Sequence, residues 1–381
     1  MQILRRSRYR NFSDVSRAGI RSWLGKLSFR DVLKRLAETK KSVLIADAFE
    51  LAWQQNLRPN EREYTIGISG CARAQLWQQA CWLLDRMSES SSQPNVFSFS
   101  AAINACEKGS EWKQALNLFE GMAAAEISPN VISYNATLSA FEKGGKWQQA
   151  LSFLEAMPDK NTIPDVISYN ATISACGKGD QWQQALGVLE AMLVFKLSPD
   201  AISYNAAISA CEKGRQWQLA LAVLQTMSTA KQSPDTVSYS AVVSALEKGR
   251  EWQKTLILLE AMNQARTHAD LFAYNAAITA CGNNSEWQQA LSLLETMFRT
   301  QTTPSTISHN ATITALDKGG QWQHALILFE AMPRTRISQD AFSFNAAINL
   351  CKNSGHWEEA IGLFEHMARV GIPLDIISYL D

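Results

Sequence analysis

Apolar side chains recur in this chain with a helical rhythm set inside a longer one of 35 residues. In the stretch Val166–Asp200, VISYNATISACGKGDQWQQALGVLEAMLVFKLSPD, Ile167, Tyr169, Ile173 and Cys176 fall at roughly helical spacing. That spacing predicts a first helix from Ser168 to about Gly179, with the Ser168 hydroxyl as its N-cap. Gly177, Gly179 and Asp180 supply a break. Trp182, Ala185, Leu186, Leu189 and Met192 then lie at i, i+3, i+4, i+7 and i+10, one face of a second helix over about Gln181–Leu193. Ser198-Pro199-Asp200 closes the unit as a turn. Helices of three turns are marginal alone in water, so stacking of one pair on the next has to stabilise them.

Tryptophan fixes the frame. Trp77, Trp112, Trp147, Trp182, Trp217, Trp252, Trp287, Trp322 and Trp357 each stand 35 residues from the next. A methionine follows ten residues after every one, at Met87, Met122, Met157, Met192, Met227, Met262, Met297, Met332 and Met367. No insertion or deletion interrupts the nine copies. A strict period of this size belongs to arrays in which each unit buries its apolar face only against its neighbours. The expected organisation is a leader (residues 1–25), a degenerate capping repeat (26–60) and nine repeats: 61–95, 96–130, 131–165, 166–200, 201–235, 236–270, 271–305, 306–340 and 341–375. Residues 376–381 begin a tenth repeat. The capping repeat carries a helical pattern over Leu44–Gln54 and has Ser42 in the tryptophan slot. Ile376–Asp381 leaves an apolar face uncapped, which leads to the expectation of either a truncated product or a protein partner over that end.

Composition refines this picture. Apolar residues make up 46% of the chain, ample for a core, and the absence of strand-type alternation predicts an all-α protein. No apolar run approaches the ~18 residues of a membrane span. Six of the seven cysteines share one repeat position, Cys71, Cys106, Cys176, Cys211, Cys281 and Cys351, where other copies have Phe141, Leu246 and Leu316. They read as small buried hydrophobes in a reducing compartment, not as disulfides or metal ligands. The net charge is zero, but residues 1–41 hold twelve Lys/Arg against three acids, leaving the remainder net negative. The first 25 residues are Arg- and Ser-rich and nearly free of acids, a composition similar to that of an organellar transit peptide. The plainer alternative is a basic arm. A mitochondrial or chloroplast location is therefore expected, with the cytoplasm as the alternative; the leader lacks the compact apolar core of a secretory signal.

The repeat V-x-S-Y-N-A-x-I-S-A-C-x-K-G-x-x-W-x-x-A-L-x-L-x-E-x-M…P-D resembles a pentatricopeptide repeat over residues 61–375. Its uniform length is similar to the pure, P-type class, and the tryptophan in every copy marks a distinctive subgroup. The resemblance implies a right-handed superhelical α-solenoid of helix-turn-helix repeats that binds single-stranded RNA at one base per repeat. It also implies that the fifth and last residues of each repeat choose the base and that the second wedges against it. Carried over, Thr65 with Asn95 and Ser100 with Asn130 resemble adenine pairs. Asn135 with Asp165, Asn170 with Asp200, Asn205 with Asp235, Asn310 with Asp340, and Asn345 with Asp375 resemble uracil pairs. Ser240 with Asp270 is similar to a guanine pair and Asn275 with Ser305 to a cytosine pair. Taking the amino-terminal unit as the 5′ end, as in the family, the implied target is 5′-AAUUUGCUU-3′. The wedging slots hold Phe97, Ile132, Ile167, Ile202, Val237, Phe272, Ile307 and Phe342; Arg62 departs from this pattern in the first unit. Arg73, Lys108, Lys143, Lys178, Lys213, Lys248 and Lys318 occupy the position where the family contacts the RNA backbone.

Each feature also has a plainer reading. Asn at a helix start is common capping chemistry, lysine at a helix end offsets the dipole, and the tryptophans fit a core position better than a stacking platform. The Asn-Ala-Thr triplets at Asn135, Asn170 and Asn310 match a glycosylation pattern with no use in an intracellular chain. Catalysis finds no foothold: the five histidines are scattered, and the H-x-E of His356-Trp357-Glu358 lacks the C-x-x-C that a zinc deaminase needs. The expected protein is a monomeric, non-enzymatic RNA binder without cofactor or small-molecule substrate. The competing reading is a protein-binding scaffold like the tetratricopeptide repeats, whose W-x-x-L-G-x-x-Y pattern is missing here.

Overall fold

A computed structural model describes residues 20, 22, 24, 27–38, 42–90, 92–265, 267–300 and 302–372. The described residues are helical throughout, and the helices come in pairs. Leading helices run Glu61–Arg73, Val96–Lys108, Val131–Lys143, Val166–Lys178, Ala201–Lys213, Thr236–Lys248, Leu271–Asn283, Thr306–Lys318 and Ala341–Asn353. Each is followed by a trailing helix that starts on the repeat tryptophan, from Trp77–Glu89 to Trp357–Val370. Two trailing helices are cut to ten residues, Trp147–Ala156 and Trp322–Ala331, because Pro158 and Pro333 follow and turn the chain into a short 3₁₀ segment. Upstream, Phe29–Glu38 and Ile45–Gln54 form a further pair.

The chain divides into two compact units, residues 1–198 and 199–381. Within each, a leading helix packs on the leading helix before and after it, and a trailing helix fills the gap between its own leading helix and the next. All nine repeat methionines are fully buried. So are the six repeat cysteines and their replacements Phe141, Leu246 and Leu316. Burial pushes the Cys71 and Cys281 thiols up to about 12 and those of Cys176 and Cys211 to about 11, so these side chains stay protonated and act as packing groups. In the first unit Phe119, Tyr134, Phe141 and Phe153 meet mostly edge-to-face, with neighbouring centroids 4.7–5.0 Å apart for Phe119–Tyr134, Phe119–Phe153 and Phe141–Phe153.

The helix boundaries differ instructively from expectation. The leading helix expected from Ser168 begins at Val166, and its N-cap is Asp165. Asp165 accepts the Ser168 N–H (2.9 Å), while the Ser168 hydroxyl accepts the Asp165 N–H (3.2 Å), a reciprocal capping box. The same box recurs at Asn95, Asn130, Asp200, Asp235, Ser305 and Asp340, each with a serine three residues on. The break between helices falls on Gly179 and Asp180 as expected, while Gly177 stays inside the helix. Gly179 keeps φ −89°, and the left-handed residue is Asp180 at φ +56°.

The reason for that glycine lies in the preceding repeat. A Cβ added at Gly109 would sit 2.5 Å from Trp77 Cδ1, and one at Gly144 2.6 Å from Trp112 Cδ1. Trp77, Trp112, Trp147, Trp217 and Trp287 are therefore half-buried spacers whose rings lie under the glycine of the next hairpin, not closed core residues as their sequence phase suggests, and Trp357 is 65% exposed. By contrast, Gly145 has φ +63° and open space around it. Gly144→Ala should accordingly destabilise the protein by roughly 1–3 kcal/mol through overpacking. Adding Trp112→Ala should cost less than the two single changes summed, since both act on one contact. Thermal melts of the three variants check this.

Candidate nucleic-acid interface

Eight leading helices present a large apolar side chain at their second residue, and all eight are exposed, from 54% at Phe272 to 66% at Ile307. These are Phe97, Ile132, Ile167, Ile202, Val237, Phe272, Ile307 and Phe342. Every other strongly apolar position of the leading helices from Val96–Lys108 onward is covered wholly or in part, apart from Leu271 at 36%. An exposed apolar side chain thus recurs at the same register of eight successive leading helices.

Next to it, the fifth residue of a repeat meets the residue that closes that repeat. Asn135 donates from Nδ2 to the Asp165 carboxylate (3.0 and 3.2 Å), Asn205 to Asp235 (3.3 Å) and Asn310 to Asp340 (3.2 Å). Ser240 donates to Asp270 (3.1 Å). Asn95 donates to the Glu61 carboxylate, and Thr65 to the Glu61 carbonyl (2.9 Å). Ser100 Oγ has no partner among the described residues, and Asn130 caps its helix. Asn170 stands on the last leading helix of the first unit, and Asp200 caps the first of the second. The buried Asn345 Oδ1 has no partner among the described residues, and Asp375 lies outside them, as do residues 376–381 and most of the leader.

A third side chain, missed by sequence reasoning in this role, completes the arrangement. The capping serine of the following repeat donates its hydroxyl to the asparagine Oδ1: Ser168 to Asn135, Ser238 to Asn205 and Ser308 to Asn275 at 2.6 Å, and Ser343 to Asn310 at 2.7 Å. The amide is thereby locked. Its oxygen faces the serine, one N–H faces the closing carboxylate where there is one, and the second N–H is left over. The 33-residue spacing from asparagine to serine was visible in the sequence, but only stacking brings the two together.

Burial alone would raise the carboxyl pKa of Asp235 and Asp340. Hydrogen bonds from the capping serines and from Asn205 and Asn310 outweigh it and hold both below the ordinary aspartate range. Their capping contribution is thus present at neutral pH and is lost as the pH falls through those lowered values.

The cationic row behaves unevenly. Lys143 pairs with Glu107 at 2.6 Å, Lys178 with Glu142 at 2.9 Å and Lys248 with Glu212 at 2.9 Å. Each acid comes from the preceding repeat, 36 residues earlier. Lys318 donates to the neutral Asn283 Oδ1 (3.0 Å). Arg73, Lys108 and Lys213 make no ion pair among the described residues. Where the acid would stand for Arg73 and Lys108, the chain has Ala37 and Ala72.

Among the described residues, no group of three or more His, Cys, Asp and Glu is placed to hold a metal ion, and no helix is long and apolar enough to cross a membrane. His356 stacks on Trp322 with ring centroids 3.8 Å apart and faces Glu359 at 3.9 Å.

Family models match most of the array. The PPR repeat family matches residues 129–178 and 164–213, and a model described as pentatricopeptide repeat-containing protein matches 196–297 and 259–367. The pentatricopeptide repeat domain matches 49–108, and a PPR repeat matches 97–127. A search of curated proteins returns no match. Among solved structures, the fold is similar to the pentatricopeptide repeat protein PPR10 in complex with an 18-nucleotide psaJ RNA element, with TM-score 0.65 and 18% identity over 95% of this chain. A form of that protein with three cysteines replaced by serine, in complex with the same element, matches with the same TM-score and identity. This chain spans 58% of the length of either.

Ser238→Ala removes a donor to both Asn205 and Asp235. The Asp235 carboxyl is expected to titrate at higher pH than in the parent, and the Asn205 side-chain amide to exchange faster. Carboxyl and side-chain-amide NMR on selectively labelled protein reads both.

Proposed function

The chain belongs to the pentatricopeptide repeat family, and from that premise we propose that it is a sequence-specific binder of single-stranded RNA. It reads one base per repeat, serves organellar RNA metabolism and performs no catalysis itself. The observation that carries this reading is the exposed apolar side chain beside a hydrogen-bonded fifth-and-last pair, repeated along the array. An apolar wedge packs on the π-face of any base, while the polar pair beside it meets the base edge.

The locked amide gives the pair a direction. In the units with Asn135, Asn205 and Asn310, the leftover Nδ2–H is a donor and the closing aspartate is an acceptor. A uracil edge offers the complement, a carbonyl oxygen beside the N3–H. Cytosine offers a bare N3 lone pair, which a carboxylate repels. The unit with Asn275 closes instead on neutral Ser305, whose hydroxyl can donate to such a nitrogen. Where the fifth residue is Ser100 or Ser240, the shorter side chain leaves room for a purine. The proposed target is 5′-AAUUUGCUU-3′.

The test is binding to this sequence inside a longer unstructured RNA, against a scrambled oligomer, at two salt concentrations. A single mismatch should cost about 1–3 kcal/mol if duplex readout is a fair guide. Asn135→Ser should move the preference at the third base from uracil toward guanine while the other positions stay fixed. Equal affinity for both oligomers, lost with salt, would reduce the reading to surface charge. The cationic row adds a finer expectation. Lys108→Ala should lower the slope of log affinity against log salt by about 0.7, the single-strand value per phosphate contact. Lys143→Ala should lower it by less, because Glu107 already holds that charge.

A further inference from the structure

In the frame of the array, residues 26–60 form a unit whose fifth residue is Arg30 and whose last is Asn60. Asn60 keeps its structural part: it caps helix Glu61–Arg73 in a box with Glu63. The fifth slot, however, holds a guanidinium in place of an amide or hydroxyl. Arg30 and Lys34 sit four residues apart on helix Phe29–Glu38, which packs on Glu61–Arg73.

These two helices bound a concavity of about 710 Å³, and four cations line it: Arg30, Lys34, Arg62 and Arg73. None of the four makes an ion pair among the described residues, and all are exposed. The one carboxylate in the lining, Glu61, already accepts a hydrogen bond from Asn95. Arg62 is the departure of the next repeat, 61–95, from the apolar wedge, so this place is built for charge where its neighbours are built for a base face. Thr65 and Asn95, the first fifth-and-last pair, line the same concavity. Planar guanidiniums paired with an ammonium suit phosphate oxygens, which they meet in bidentate fashion.

We propose that this concavity binds a phosphate group of the RNA on the 5′ side of the first base read, with Arg30, Lys34 and Arg62 as its ligands and Arg73 beside them. The inference rests on the RNA reading above. The phosphate has two sources, a 5′-terminal monoester or the diester to an upstream nucleotide, and the monoester carries the larger charge.

Affinity is to be measured for the nonamer 5′-AAUUUGCUU-3′ with a 5′-hydroxyl, the same with a 5′-phosphate, and a decamer with one extra 5′ nucleotide and a 5′-hydroxyl. A 5′-phosphorylated scrambled nonamer is the control. The full chain is compared with an Arg30→Ala/Lys34→Ala variant and, separately, with Arg62→Gln, after matching thermal melts. The expected result is a gain of about tenfold on adding the 5′-phosphate, cut to less than twofold in the double variant and weakened in Arg62→Gln, with the 5′-hydroxyl nonamer unaffected by Arg30→Ala/Lys34→Ala. An equal gain for the decamer assigns the site to a backbone diester; a gain confined to the phosphorylated nonamer assigns it to a transcript end. If the nonamer beats the scrambled RNA but the phosphate adds nothing, the pocket is overturned and the base reading stands. If the phosphate adds tenfold to the nonamer but the phosphorylated scrambled nonamer binds as tightly as the phosphorylated target, the base reading fails and the pocket stands. If no RNA binds, both fall.

Discussion

In the repeats that end on Asp165, Asp235 and Asp340, the closing residue is held from two sides. It caps the leading helix of the next repeat through a reciprocal box with a serine, as Asp165 does with Ser168. It also receives a hydrogen bond from the fifth residue of its own repeat, as from Asn135. One side chain thus fixes where a helix starts and where a polar pair faces. Because the cap is local and the pair spans 30 residues, the register of the candidate interface cannot drift while the helices stay in place.

Stacking supplies the rest. Buried methionines and cysteines fill the gaps between helices, and the half-buried tryptophans set how closely one hairpin approaches the next. The glycine after each affected leading helix answers to the ring of the previous repeat and not to its own backbone, since Gly144 keeps an ordinary φ of −80°. The lysine–glutamate pairs likewise join neighbouring repeats, Lys143 to Glu107 and Lys178 to Glu142. These contacts tie one repeat only to the next, which is why short helices of modest intrinsic stability can hold together.

Much of this was legible in the sequence. Periodicity located the helices to within about two residues, and the buried row of cysteines followed from their shared slot. What failed was whatever depends on two repeats at once. Ser168 looked like a cap because its hydroxyl sits near a helix start; only the folded chain shows it bridging Asp165 and Asn135. The uneven pairing of the cationic row escaped notice because the acids lie 36 residues away; three of the seven cations have one and four do not. Arg30 escaped notice because the tryptophan that marks the frame is absent from its unit, where Ser42 stands instead.

The double duty of the closing residue has an evolutionary consequence. The described closing positions hold only Asn95, Asn130, Asp165, Asp200, Asp235, Asp270, Ser305 and Asp340, all strong helix-capping types. A lysine, leucine or glutamine there would strip the cap from the following helix before it could specify anything new. On the proposed RNA reading, the vocabulary available at that position is therefore bounded by folding as well as by recognition. New specificities in such an array are reached more easily by changing the fifth residue, or by exchanging whole repeats, than by widening the set of closing residues.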